Sequence, residues 1–541
     1  MIGPAARALT AALAIGISAG AASLRARRPE PAFQTSDRCL ACHNGLTTSR
    51  GEDVSIGFNW RASIMANSSR DPYWQASVRR ESIDHPRAAS HIEDECSVCH
   101  MPITRYLARL QGQEGQVFSH LPFSQDKRQG KEASDGVSCS VCHQISKEKL
   151  GAPESFNGGF FLDPPDSANN RPEYGPFEIA RGQQRIMQTS TGGFQPTENT
   201  DHIRKSELCA TCHTLKTTAL GSDGTKIGEL PEQMPYPEWL HSDYKDKKTC
   251  QSCHMPEVEE PVPITRVLGA PRHGLSRHTF VGANFFMTWM LNRYRDQLEV
   301  AALPQELSAA AEGALSFLQT QAARLSIPSA ELNSGRLEIQ VAVENLGGHK
   351  LPTAYPSRRA WLHLKVLDRD NRSLFESGAV RADGSIVGND NDDDARRFEP
   401  HYRQIDRPDQ VQIYEDIIGD PNGNVTTGLL TGVRYLKDNR LLPHGFDKQT
   451  AGPDIAVVGE AAADPDFTGD GDRIRYLVPV GAAQGPFRIE VELWYQPVGF
   501  RWANNLKPYA ASAAEPRRFT GYYDAMGSAT GAVIARAAAV R

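Results

Sequence analysis

The pentapeptide Cys-x-x-Cys-His occurs five times, as CLACH at 39–43, CSVCH at 96–100 and again at 139–143, CATCH at 209–213 and CQSCH at 250–254. These copies use all ten cysteines of the 541-residue chain. Cys-x-x-Cys alone admits a zinc half-site, a redox dithiol or, when His follows, attachment of a c-type haem. The first two do not require the His, yet it follows every time. The two thiols lie one helical turn apart, which suits thioether bonds to the two haem vinyl groups. The adjacent imidazole then falls beneath the iron. The chain therefore reads as holding five covalent haems c through Cys39 and Cys42, Cys96 and Cys99, Cys139 and Cys142, Cys209 and Cys212, and Cys250 and Cys253. The proximal ligands would be His43, His100, His143, His213 and His254.

Net charge is −6, so no basic field points to nucleic acid. Pairing the cysteines as disulfides would remove the thioether donors. Residues 1–28, MIGPAARALTAALAIGISAGAASLRARR, carry one Arg and then an apolar run from Ala8 to Leu24. Ala19, Gly20 and Ala21 suit a cleaved signal peptide, while Arg25, Arg27 and Arg28 leave an uncleaved N-terminal anchor as the alternative. Either way the chain is expected to be exported, periplasmic or at an outer surface. Membrane association would run through the N-terminus.

The expected fold class is α+β and multidomain. Residues 29–282 hold every motif and are rich in Pro, Gly, Ser and Asp, as befits a mostly helical and irregular domain packed around haem. Residues 283–326 read as a helical connector, with Leu307, Ala311, Ala314 and Leu318 at helical spacing. From 327 to 500 the pattern becomes alternating. Leu337, Ile339, Val341 and Val343 are one such run; Phe487, Ile489, Val491, Leu493 and Tyr495 are another. That predicts a β-sandwich-like domain. The tail 501–541 reads as coil and helix.

Of the 16 histidines, eleven lie outside the motifs. Candidates for the opposite face of each iron are His202, His278, His120 and His349, with one ligand between His85 and His91, which are too close in sequence to serve one iron from one helix. A solvated loop His is the plain alternative for His85, His91, His241 and His273. Met65 is either a thioether ligand or core. His349 follows Gly347-Gly348 and precedes Lys350-Leu351-Pro352, a loop suited to holding a side chain away from its own sheet. His401 is a weaker case of the same kind. His363, alternating with Leu362 and Leu364, reads as a surface residue beside Trp361 and Lys365.

The phrases DGVSCSVCH, SELCATCHTL, PEQMPYPEWLHSDY leading into CQSCHMP, RHTFVGANFF and GHKLPTAYP resemble the multihaem cytochrome c family of the cytochrome c-552/c-554 type. The resemblance spans most of residues 37–500. It implies an exported electron carrier with mostly bis-His haems and a C-terminal β domain, and it supports His202, His278 and His349 as ligands. Cys-x-x-Cys-Lys, the attachment signature of one kind of nitrite-reducing haem, is absent from the sequence. So is a tyrosine cross-link signature of hydroxylamine oxidation.

Two acidic clusters, Asp464, Asp466, Asp470 and Asp472, and Asp390, Asp392, Asp393 and Asp394, admit calcium, although solvated turns fit their spacing better. Three functions remain in play. One is electron transfer between redox partner proteins. Another is reduction of a small nitrogen or sulfur oxyanion at a haem with an open axial site. A third makes the β domain a docking module. Spare histidines in excess of haems favour the first.

Overall fold

The computed structural model describes residues 32–166 and 170–541. The segment 1–28, read as signal or anchor, lies outside the described residues. Among the described residues no helix is long and apolar enough to cross a membrane.

Up to residue 282 the chain is a succession of short helices joined by irregular loops, the longest being Pro72–Asp84 and Ala89–His100. Pro72–Asp84 forms where its sequence caps it. The Asp71 carboxylate accepts the Tyr73 and Trp74 amides at 2.8 and 3.2 Å, and Pro72 occupies the first turn. It ends at His85, before Pro86. Two small β elements interrupt the helical texture: a parallel pair, Arg171–Tyr174 with Phe194–Thr197, and a hairpin, Leu215–Leu220 with Lys226–Gln233.

The expected connector contains helices Phe285–Arg293 and Pro304–Phe317, but the first long strand, Ala323–Asn333, already begins inside it. That strand continues a four-stranded sheet through Arg336–Asn345, Asp472–Pro479 and Gln404–Ile405. The second large sheet runs Ile413–Tyr414, Arg359–Leu367, Arg488–Gln496, Ala532–Val540, with Ser373–Ser377 also paired to Arg359–Leu367. Alternation puts Leu337, Ile339 and Val341 of one sheet, and Leu362, Leu364, Ile489, Val491 and Leu493 of the other, into one apolar core. Phe285, Phe286, Met290 and Leu291 extend that core to the preceding helix. Each such side chain stabilises the fold by about 1.5–3 kcal/mol.

Two expectations need correcting. The tail is not only coil and helix: after helix Ala514–Asp524 it ends in the strand Ala532–Val540, which pairs antiparallel with Arg488–Gln496. An open strand edge outweighs the helix preference of its alanines. Nor is the Trp361 face solvent-exposed. Trp361 is fully buried beneath Ile386, Val411 and Ile413, and its indole donates to the Gly378 carbonyl. His363 on that face is half-buried between Glu376 and Glu492, at 3.0 and 3.3 Å.

The helical and β parts interlock. Helix Pro72–Asp84 packs on the C-terminal helix Ala514–Asp524 through Tyr73 against Phe519, with ring centroids 5.0 Å apart, and through a two-pronged Arg79–Glu515 pair. Leu220 of the hairpin donates to the Leu430 carbonyl, and the Tyr435 hydroxyl donates to that of Pro231.

Candidate functional site

Each Cys-x-x-Cys-His is wound into one helical turn. The His43, His143 and His213 amides donate to the carbonyls of Cys39, Cys139 and Cys209, at 3.0, 3.0 and 2.9 Å. Of the other two motifs, one ends helix Ala89–His100 and the other makes up the whole of helix Cys250–His254. One turn brings both thiols and the imidazole to the same side.

All five turns line one cavity of about 880 Å³, whose walls include all ten cysteines and all five motif histidines. Protein interiors otherwise pack as densely as organic crystals, so a space of this size, lined this way, is a binding space. No cysteine is in a disulfide. Thiols of different motifs meet across it: Cys39 with Cys139, Cys99 with Cys212, and Cys209 with Cys250.

Four of the five motif imidazoles are set for metal binding through Nε2. Nδ1 of His43 bonds the Ile264 carbonyl at 2.6 Å, that of His100 the Ser68 carbonyl at 2.9 Å, that of His143 the Tyr174 carbonyl at 2.7 Å and that of His254 the Val281 carbonyl at 2.5 Å. A carbonyl only accepts, so Nδ1 carries the proton and Nε2 keeps its lone pair. Loss of hydration lowers the pKa of His43, His143 and His254, and brings His100 and His213 to about 4. All five are neutral near pH 7, the form that binds metal. His213 is exposed and lines the cavity. The Trp74 indole lies flat on His100, with centroids 4.3 Å apart and planes 3° from parallel.

An imidazole nitrogen binds a metal at about 2 Å, so two rings holding one ion from opposite sides have centroids about 6.3 Å apart. His143 and His278 are separated by 6.5 Å with planes 13° apart; His254 and His349 by 6.1 Å with planes 10° apart. Both partners hold Nδ1 on a carbonyl, His278 on Ser276 at 2.8 Å and His349 on Lys350 at 3.0 Å. Two of the five motif imidazoles therefore face a second imidazole at the separation one shared ion requires.

The other sequence candidates divide. His91 and Met65 line the cavity. His85, His120 and His202 are not on its walls. His202 is buried, edge-on to Tyr174, with Nε2 bonded to the Ile145 carbonyl at 2.8 Å. His120 closes the single turn Phe118–His120. His85 is buried at the end of helix Pro72–Asp84, with Nε2 4.0 Å from the Glu81 carboxylate.

Sequence reasoning did not find what holds His349. Lys350 is fully buried, and its ammonium meets Asp438 at 2.7 Å. Arg440 bridges Asp438, Asp416 and Glu238 at 2.7, 3.4 and 3.2 Å. Glu238, on helix Pro235–Leu240, also accepts the Lys350 amide at 3.1 Å and the Thr353 hydroxyl at 2.6 Å. A buried charge cluster thus clamps the β-domain loop against the motif region.

The fold has a solved neighbour. The chain is similar to a penta-heme cytochrome c552 from Thermochromatium tepidum, with a TM-score of 0.51 and 14% identity over 95% of this chain and 100% of that one. At that identity the likeness is one of fold. No protein-family model and no curated protein matches the chain.

Proposed function

We propose that this protein is an exported pentahaem c-type cytochrome that passes electrons between redox partner proteins. The observation that carries the reading is the single cavity onto which ten thiols and five motif imidazoles converge, four of them presenting Nε2, with His278 and His349 facing two of them. The donor set fits haem c: each motif offers two thiols and an imidazole from one turn. The fold likeness to a penta-heme cytochrome supports the same reading.

When bound, the haems supply one-electron chemistry, and the protein sets which are neighbours. Cys39 meets Cys139, Cys142 is an electrostatic neighbour of Cys212, and Cys209 meets Cys250. Cys99 also meets Cys212. The motifs therefore line up first, third, fourth, fifth, with the second branching at the fourth. His278 and His349 serve as distal ligands to the third and fifth sites, and His91 is a further imidazole on the cavity wall. Export follows from the signal-like segment 1–24 and from haem attachment to such motifs outside the cytoplasmic membrane.

Ferric spin-state spectroscopy of the purified protein tests this. Low-spin signals from at least the third and fifth sites are expected. A wholly high-spin protein that binds carbon monoxide at every haem when reduced would contradict the electron-carrier reading and favour a reductase.

A further inference from the structure

Off the walls of the motif cavity, the β region holds three buried side chains whose ligand atoms converge: His401, Asp464 and Asp472, all within 4.8 Å of one another. Their surroundings dictate which atoms are free. Gln412 uses its carbonyl oxygen on the Tyr402 amide at 2.8 Å, and Asn439 uses its own on the Glu415 amide at 3.1 Å. Both therefore present NH₂ groups to Nδ1 of His401, at 2.9 and 3.1 Å. Nδ1 is an acceptor, and the ring turns Nε2 toward the acids. Asp464 spends Oδ1 on the Asp466 amide at 2.9 Å, leaving Oδ2, 3.2 Å from Nε2. Asp472 Oδ2 accepts from the Tyr414 hydroxyl and Gln412, at 2.8 and 3.2 Å, and its Oδ1 accepts the Arg473 amide at 2.8 Å while lying 3.9 Å from Nε2, with a second lone pair still open. Beside Asp472, the fully buried Tyr476 hydroxyl has no hydrogen-bond partner.

We propose that His401, Asp464 and Asp472 form a structural site for a divalent first-row metal ion of the zinc class. One imidazole and two carboxylates, each oriented by a second hydrogen bond, are a donor set for such an ion. Calcium fits poorly: it takes six to eight oxygens, and Asp466 and Asp470, the other acids of this cluster, are exposed. The ion would tie the loop before strand Asp472–Pro479 to the loop carrying His401.

The test uses the haem-loaded protein stripped with a chelator, desalted, and titrated with Zn²⁺ against a competing indicator. One Zn²⁺ per chain is expected beyond the haem iron, with a saturable rise in thermal midpoint. H401N and D472N should each weaken binding at least tenfold while leaving the haem spectrum unchanged. Absence of zinc binding by the wild type at micromolar concentration would overturn the proposal. So would equal binding by folded H401N and D472N, since that places the ion elsewhere, for instance on unalkylated thiols.

Discussion

At His349, a single side chain tests whether the β domain is part of the haem-bearing unit. His349→Ala removes the ring that faces His254 at 6.1 Å, and His278→Ala the ring that faces His143 at 6.5 Å. Each substitution should convert one haem from low to high spin and open it to carbon monoxide, read by ferric magnetic resonance and reduced-state titration. An unchanged spin count in either variant removes that residue from the ligand set. A second residue-scale prediction concerns Asp135, which accepts the Ser36 amide and hydroxyl, both at 2.9 Å. Burial raises its pKa from 3.8 to about 6. The folded protein keeps a proton that the unfolded chain releases, so this contribution is full below about pH 4 and is lost as pH rises through about 6. Asp135→Asn should remove that slope. The variant's denaturation midpoint should gain on the wild type between pH 4 and 6, by at most about 3 kcal/mol. A parallel pair of profiles would count against it.

Among elements, helix Pro235–Leu240 and the loop carrying His349 are joined by Glu238. Removing one partner of a buried ionic cluster strands the others without hydration, at a cost of about 3–5 kcal/mol. Glu238→Ala should lower stability by that order and also produce the high-spin fraction seen in His349→Ala. Glu238→Gln, which still accepts hydrogen bonds, should do less. Chemical denaturation alongside the ferric spectrum checks both; a destabilised protein with normal spin states would show that the clamp does not position His349. The elements differ in how readable they were. Cys-x-x-Cys-His turns and the alternation at 337–343 and 487–495 are local patterns, and the sequence displays them directly. Facing pairs such as His254 and His349 join segments far apart in the chain, and only their packing creates them. The carbonyls that hold Nδ1 belong to Ile264, Ser68, Tyr174 and Val281, whose side chains leave no sign of the role. Strand Ala532–Val540 was hidden because alanine favours helix until a free strand edge is available.

For the whole molecule, the helical and β parts are joined because the C-terminal end of the chain braces the motif region and completes the core. Helix Ala514–Asp524 supports helix Pro72–Asp84, and strand Ala532–Val540 completes a sheet of the core. A chain truncated after residue 512 should therefore lose haem-loaded protein, not merely a tail, when yields are compared by haem staining. The central claim is that the shared cavity holds five covalent haems. Intact-mass spectrometry of the denatured protein, produced with c-type haem maturation, measures this directly. The account predicts a mass equal to the mature chain plus five haems, with no thiol left to alkylate. A chain carrying two haems or fewer, with the remaining thiols free or holding zinc, would contradict it.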